Sequence, residues 1–568
     1  MNDTKNLILA VVLSVLVLIG WTFVANRYFP TSNPPSSKIA AGKQQPIEQP
    51  QSQPSAPSMG KAVRSVPAAL ASSPRVAIKT PTLSGSINLK GAQIDDLLLL
   101  TQRETIAPNS PPIRLLSPLG APGAYIAEFG WTAQGSQVPT LDTIWTADTQ
   151  QLSPGHPVTL TTQMPDGARY KLKISVDDGY LFTAQQSVLN SSGKPINIRP
   201  VGLVSRATQS ADRSIWTNHV GPIGVFDGKA NYSINWKDLD EGKTEVFGST
   251  VGWLGFTDKY WLTALAPSGT VTAEFNHSPS GAYQADYSLA PATLAPGQTL
   301  ATSSRLFAGV KEKPLLSRYE EEGIPQFSYA IDWGWFHWFM IPIFDLLLFL
   351  FHAFGNFGLA IIGLTFVVRA IMFPVAQKQF QSMAAMRKLQ PKMKAVQERF
   401  KDDKQRQQQE IMKLYQAEKI NPAAGCLPIV LQIPVFYALY KTLVVSVEMR
   451  HQPFIAWIRD LSAPDPLTPV NLFGLLHFSP PAYLAIGVLP LLVGATQWTS
   501  MKLNPQPMDP AQAQMFAIMP WVLVFIMAPF AAGLQLYWIT NNILTIAQQW
   551  FLYRKFGLHL SDTHPVAT

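Results

Sequence analysis

The chain has 568 residues, of which 47% are hydrophobic and 14% are charged. Soluble domains carry about 25% charged residues, so this composition argues against a wholly soluble enzyme, and the apolar content excludes a disordered chain. A single cysteine, Cys426, excludes a disulfide-stapled scaffold. The net charge is 44 − 36 = +8, and residues 331–568 contribute 18 basic against 12 acidic side chains. A basic excess in the apolar half is typical of a membrane protein, and we expect no nucleic-acid sequence recognition.

The first 29 residues predict an uncleaved transmembrane anchor. The apolar run from Leu7 to Ala25 has about the length that crosses a bilayer. A cleaved signal peptide is the alternative, but the bulky Phe23 stands where a cleavage site needs a small residue. Residues 30–82 contain ten prolines among Ser, Gln, Ala and Lys, which predicts a linker.

Residues 83–323 predict a large β-sandwich outside the membrane. Residues 170–176 alternate with period two, and turn signals such as Asp227-Gly228 recur about every ten residues. The length predicts an extended two-sheet core, closed by a short helix near 315–322. Aromatics such as Trp216 and Trp253 are expected to pack in the core of the domain. A carbohydrate or peptide site on one of them is the alternative. The domain shows no zinc, phosphate-loop or nucleophile motif, so we expect no cofactor.

The C-terminal half predicts a multi-pass α-helical membrane protein. Residues 324–356 mix aromatic with polar residues, which favours an amphipathic helix in the membrane interface. Five spans follow in a core of residues 357–555, and the anchor makes six. Their predicted ranges are about 357–376, 426–446, 482–500, 515–531 and 533–553.

Basic side chains set the predicted orientation. Residues 375–422 carry eleven Lys or Arg, whereas the loop 448–480 carries only Arg450 and Arg459. Positive loops stay in the cytoplasm, so both termini, including a short tail at 556–568, are predicted to be cytoplasmic. The large domain then lies outside the inner membrane, and in a double-membrane bacterium that space is the periplasm.

Residues 377–420 predict a cytoplasmic helical hairpin. Apolar residues recur at intervals of three and four, which is typical of a coiled-coil seam. They are Met383, Met386, Leu389, Met393, Val396 and Phe400. Core packing is the ordinary interpretation of such a seam, and capture of substrate helices by a soft methionine surface is the alternative.

Arg369 is the most informative single residue. It lies nine residues before Lys378, about 13 Å along a helix, too far for easy snorkelling. An unpaired charge near the bilayer centre costs at least about 2.5 kcal/mol, and the five predicted spans contain no Asp or Glu. We therefore expect a hydrophilic groove, with headgroup contact as the alternative. On the last predicted span, polar residues recur at intervals of three and four and predict one polar helix face. They are Gln535, Trp538, Asn542, Thr545 and Gln549, with Asn541 and Gln548 alongside. The predicted lining of the groove comprises Arg369, Thr365, Gln432, Gln535, Trp538 and Asn542.

The sequence resembles the YidC/Oxa1/Alb3 family of membrane protein insertases, in its Gram-negative form. The resemblance covers essentially the whole chain. It rests on segments 365–369, 389–392, 402–406, 421–422, 425–428, 461–463 and 533–538. Arg369 and Thr365 match the family's groove arginine and threonine. Tyr537-Trp538 replaces a frequent Tyr-Tyr pair, so the resemblance implies that Tyr537 also lines the groove.

The resemblance implies an insertase and chaperone for nascent inner-membrane proteins that hydrolyses no nucleotide and is not an enzyme. It implies a periplasmic β-supersandwich similar to sugar-mutarotase folds. The implied partners are nascent membrane proteins, the Sec translocon with its accessory subunits, the phospholipid bilayer and, weakly because the tail is short, the ribosome. Two alternatives remain: an ion-coupled transporter, which would need membrane carboxylates, and a membrane-anchored carbohydrate enzyme, which would need a catalytic carboxylate pair.

Overall fold

The computed structural model describes residues 64–555, with gaps at 135, 213–217, 249, 280, 335, 402, 419–426, 474, 477–484 and 504–509. The predicted anchor, the linker up to residue 63, the tail 556–568 and Trp216 lie outside the described residues. The chain divides into two compact units, 1–335 and 336–568.

The first unit contains two large, mostly antiparallel sheets, which confirms the predicted β-sandwich. The first sheet has the order β14-β17-β18-β11-β5-β3-β2-β1-β7, with β19 paired to β11 and β4 to β3. Its strands are β1 Arg75–Lys79, β2 Leu83–Asn88, β3 Gln93–Arg103, β4 Pro112–Leu116, β5 Tyr125–Gln134, β7 Gln151–Leu152, β11 Ile196–Arg206, β14 Glu245–Phe247, β17 Val271–His277, β18 Tyr283–Leu289 and β19 Ala292–Leu294.

The second sheet has the order β13-β12-β15-β16-β20-β10-β9-β8-β6. Its strands are β6 Thr146–Ala147, β8 Val158–Gln163, β9 Arg169–Val176, β10 Leu181–Leu189, β12 Gly221–Phe226, β13 Lys229–Asn231, β15 Val251–Thr257, β16 Trp261–Pro267 and β20 Thr299–Val310. Buried polar groups bridge the two sheets. The Tyr287 hydroxyl lies 2.7 Å from Ser304 Oγ, and Gln186 Nε2 donates to Gly130 O at 2.6 Å.

The turn and core predictions for this unit hold. Asp227 and Gly228 have φ values of 48° and 71° and join β12 to β13, where glycine tolerates the left-handed backbone. Trp253 is fully buried and packs edge-on against Phe327, so it belongs to the core. Short helices α1 Val66–Leu70, α2 Trp236–Asp240 and α3 Lys313–Glu321 complete the unit. Tyr319 of α3 donates to Asp177 Oδ2 at 2.6 Å and fixes the predicted closing helix against the β9–β10 turn.

The boundaries of this unit differ from the prediction at both ends. Strand β1 lies inside the predicted linker 30–82, because Val76 and Ile78 alternate with polar residues and bury completely against β2. The predicted interfacial helix 324–356 begins only at His337. The preceding residues belong to the sandwich, since Phe327 and Trp333 are both 1% exposed.

The described helices of the second unit follow the predicted membrane core. They are α4 His337–Phe354, α5 Phe357–Arg399, α6 Lys404–Ala417, α7 Leu427–Val445, α8 Val488–Leu503, α9 Pro510–Met527 and α10 Ala532–Lys555. Two segments, His337–Phe354 and Phe357–Lys378, are long and apolar enough to cross a membrane. Six spans, and an interfacial position for α4, therefore stay predictions.

The hairpin is built from the second half of α5 and from α6. Helix α5 continues through Pro374 and Pro391, so the first predicted span and the first hairpin arm are one helix. Asp403 caps α6 by accepting from the Arg406 backbone N–H. A Lys392–Glu418 ion pair at 2.7 Å joins the arms of this hairpin.

Helix α10 is central to the second unit and contacts α5, α7 and α8. Its first turn is tied to the 461–463 loop, because Ala532 N donates to Ala463 O at 2.8 Å and Gly533 N donates to Leu461 O at 2.9 Å. These hydrogen bonds fix the start of α10, and the helix contacts place its polar side chains next to α5, α7 and α8.

Candidate functional site

The Arg369 guanidinium is held by neutral groups of α10. Nε donates to Asn541 Oδ1 at 2.8 Å, and Nη2 donates to Thr545 Oγ1 at 2.5 Å and to Asn541 O at 3.3 Å. Among the described residues, no carboxylate forms an ion pair with Arg369. Within the described part of the chain, the arginine therefore keeps its positive charge uncompensated between α5 and α10.

One end of this guanidinium stays open. The residue is partly exposed, and within the described part of the chain nothing accepts a hydrogen bond from Nη1. Nη1 is not a fully buried atom, so it is not sealed inside the helix interface. Two N–H donors thus remain available to an anionic group or to water.

Aromatic and basic residues pair near the C-terminal ends of α8 and α10. Lys502 Nζ lies 3.7 Å from the centre of the Trp498 ring, and Arg554 lies 3.8 Å from the centre of the Trp550 ring. Tryptophan with Lys or Arg at helix ends is typical of the headgroup level. Thr545 precedes Trp550 by five residues, which is roughly 8 Å along the axis of α10.

The polar positions of α10 face different neighbours rather than one cavity. Tyr537, Asn541 and Thr545 form one ridge, on which the Tyr537 hydroxyl accepts from Gln432 Nε2 of α7 at 2.5 Å. Since 537, 541 and 545 are spaced by four, they share one face of the helix. Tyr537 is buried, and its pair with Gln432 joins α10 to α7 beside the arginine.

A second ridge of α10 contacts α8. Trp538 Nε1 donates to Gln497 Oε1 at 3.3 Å, and Asn542 Nδ2 donates to Thr496 Oγ1 at 3.1 Å. The indole also packs edge-on against Phe436 at 5.0 Å. Trp538 therefore keeps a hydrogen bond as well as a stacking surface.

Two predicted groove residues are instead buried in helix packing. Gln535 is 0% exposed, and its Nε2 donates to Met527 O at 2.9 Å and to Phe530 O at 2.7 Å. These two carbonyls lie at the end of α9 and in the turn that follows it. Thr365 is 1% exposed and donates to Ile361 O of its own helix at 2.7 Å. Neither side chain lines an open surface.

The structure describes the side chains of two of the four predicted hairpin residues. Leu389 and Met393 are buried, as expected for packing within the seam. The side chains of Met383 and Met386 lie outside the described residues. Capture of substrate by these four positions stays a prediction.

Sequence reasoning placed Asn541 and Thr545 beside the groove without giving them the central role, and it missed Thr496 and Gln497. A usable signal existed, because adjacent Thr496 and Gln497 interrupt an apolar span. Intramembrane polar side chains commonly bond across helices.

Comparisons with known proteins agree with this architecture. Residues 75–346 match the family described as YidC periplasmic domain, and residues 349–558 match the family described as 60Kd inner membrane protein. A membrane protein insertase YidC of Zymomonas mobilis is 46% identical over 98% of this chain and 96% of its own length. The chain belongs to the YidC family of membrane protein insertases. The corresponding protein of Bradyrhizobium diazoefficiens is 43% identical over 98% of this chain and 97% of its own length.

A solved structure is also similar. It is described as an active YidC insertase crystal structure with the first transmembrane domain resolved. It covers 84% of this chain and 92% of its own length, at 16% identity and a TM-score of 0.36. The family membership makes the chain an inner-membrane insertase with a periplasmic domain, and it is not an enzyme in the catalytic sense.

Proposed function

We propose that Arg369 is the polar centre of a groove through which the hydrophilic flank of a nascent membrane protein enters the bilayer. An uncompensated guanidinium with two free donors near one interface suits transient binding of a carboxylate. That observation carries the proposal. The groove lining then comprises Arg369, Asn541 and Thr545 at its base, with Gln432, Tyr537, Trp538 and Asn542 setting the positions of the helices around it.

The energetics need no nucleotide. A substrate's apolar segment gains about 0.3–0.6 kcal/mol for each central Leu, Ile, Phe or Val that enters lipid. The obstacle is the desolvation of its polar flank, which costs several kcal/mol for each unpaired charge. A hydrated cation inside the headgroup level shortens the apolar path that this flank must cross.

We further propose the surrounding topology and partners. Both termini and the hairpin 377–420 are cytoplasmic, six spans cross the inner membrane, and the hairpin meets substrates first. The chain inserts and chaperones nascent proteins alone or beside the Sec translocon and its accessory subunits, with a weak ribosome contact through its short tail.

Photocrosslinking tests the proposal. Phe366 is exposed and lies three residues before Arg369 on α5, so a benzoyl-phenylalanine there reports on occupants near the guanidinium. Phe525 of α9 is equally apolar and exposed, and it is the matched control. We expect a stalled nascent chain to crosslink to position 366 and much less to 525. Equal crosslinking at both positions would contradict a defined substrate path.

A further inference from the structure

The loop between α7 and α8 exposes a compact apolar surface. We define this surface, the apolar apex, by its described residues: Val470, Leu472, Phe473, Leu475 and Leu476. All five are exposed, and Leu475 is 76% exposed. Exposed apolar patches of this kind mark contact with another molecule or with lipid.

The backbone holds these side chains outward at a conformational cost. Leu472 and Phe473 are consecutive and both have positive φ, 49° and 58°, which bulky residues rarely adopt. Hydrogen bonds from Phe473 N to Thr468 O at 2.9 Å and from Leu476 N to Asn471 O at 3.0 Å fix this turn. Strain of this kind persists where the surrounding structure over-determines it and the geometry serves a function.

The base of the loop is anchored to the first turn of α8, which overlaps the predicted span 482–500. Asp465 Oδ2 accepts from Leu489 N at 2.7 Å, and Val488 N donates to Leu467 O at 3.0 Å. The apolar apex therefore leaves the unit at the level of the first turn of α8. Exposed Leu491 and Leu492 lie within the first five residues of α8, so this helix also presents apolar side chains near the anchored base of the loop.

The charge pattern of the loop indicates which kind of molecule contacts the apolar apex. Residues 466–487 contain no Asp, Glu, Lys or Arg, so the segment offers no charged rim to a protein partner. An uncharged run with leucine and phenylalanine, fixed at the start of a predicted membrane helix, fits the boundary between headgroups and acyl chains. We propose that the apolar apex inserts into the leaflet at which α8 begins, by the predicted orientation the periplasmic one, and acts as a monotopic lipid anchor.

Photocrosslinking of the full-length protein in phosphatidylcholine–phosphatidylglycerol vesicles tests this inference. Benzoyl-phenylalanine replaces Phe473, an exposed aromatic, so the fold is conserved. Phe525 is the matched lipid-facing control, and Val246, an exposed apolar residue of β14, is the matched aqueous control. We expect adducts of one phospholipid mass at positions 473 and 525 and none at 246. Adducts between two copies of the chain at position 473, or no lipid adduct there, would overturn the proposal.

A spin label provides an independent measurement. Leu475→Cys is labelled in a Cys426→Ser background and compared with Val246→Cys in the same vesicles. Insertion predicts a several-fold higher ratio of oxygen to nickel-chelate accessibility at 475 than at 246. Equal ratios would refute insertion, as would a label at 475 that is protected from both reagents, because a protein surface would then cover it.

Discussion

Arg369 Nε donates to the side-chain oxygen of Asn541 at 2.8 Å, so a neutral amide, and not a carboxylate, positions the intramembrane cation. The Asn541 side chain, the Asn541 backbone oxygen and Thr545 Oγ1 together accept from the guanidinium on the side that faces α10. All three acceptors are neutral, so the charge of Arg369 stays intact. The proposed function depends on this combination of a fixed orientation and an unneutralised charge.

Asn541→Asp tests the importance of that neutrality without altering Arg369. The new carboxylate would pair with the guanidinium and remove the charge offered to a substrate. We expect insertion of acidic-tailed substrates in reconstituted vesicles to fall about tenfold, the equivalent of about 1.4 kcal/mol, close to the lower limit for a hydrogen bond to a charged group. Ile543→Ala on the same helix is the control, because Ile543 is exposed. Ile543→Asp would not serve, because it adds a new charge at an exposed apolar position. Full activity of Asn541→Asp would contradict the role of the free charge.

Gln535 should contribute to stability and not to substrate contact. Gln535→Leu removes two hydrogen bonds and leaves Met527 O and Phe530 O without this donor, which should cost about 1–3 kcal/mol. The measurement is the thermal unfolding midpoint in detergent, with Thr365→Val as the comparison because its hydroxyl bonds only its own helix. We expect a clear loss for Gln535→Leu and a small change for Thr365→Val. A Gln535→Leu variant with an unchanged midpoint but reduced substrate crosslinking would show that our assignment is wrong.

The periplasmic domain should lose stability as pH rises towards neutrality. Burial raises the pKa of Glu128 to about 7, and burial together with the charge of Glu274 does the same for Asp286. A raised carboxyl pKa stabilises the fold fully below the unfolded value near 4, and this contribution is lost as pH rises through about 7. Between pH 5.5 and 7.5 each group should contribute of the order of 1–2 kcal/mol to this loss.

Hydrogen exchange of strand β5 in the full-length protein measures this effect at pH 5.5 and 7.5, after correction for intrinsic rates. Glu128→Gln should flatten the pH dependence relative to the unmodified chain. Asp142→Asn is the matched control, because Asp142 is a surface carboxylate paired with Lys90. An unchanged pH dependence in Glu128→Gln would remove Glu128 as its source.

Local patterns predicted individual elements well where one period dominates. The alternation in residues 170–176 became strand β9, whose side chains alternate between exposed and buried. Strand β1 was missed because its five alternating residues lie within a proline-rich stretch whose composition outweighed them. The start of α4 was misplaced because buried aromatics such as Phe327 and Trp333 look the same in a sandwich core and in a membrane interface.

The site was harder to predict because it depends on tertiary packing. The spacing of α10 showed a polar helix, but it could not show that the 537–541–545 ridge faces α5 and α7 while 538 and 542 face α8. Arg369 and Asn541 are 172 residues apart, and no spacing rule connects them. The missing carboxylate was readable from the sequence, whereas the neutral partners of the arginine were not.

Charge exchange between Arg369 and the substrate tests the central claim most directly. Insertion of two substrates that differ only in an acidic or a lysine-containing translocated tail is measured in vesicles with the unmodified chain, Arg369→Lys and Arg369→Glu. We expect Arg369→Lys to retain insertion of the acidic tail, and Arg369→Glu to lose that activity while it inserts the lysine-containing tail at least as well. Equal insertion of the acidic tail by all three proteins would contradict an electrostatic role for Arg369.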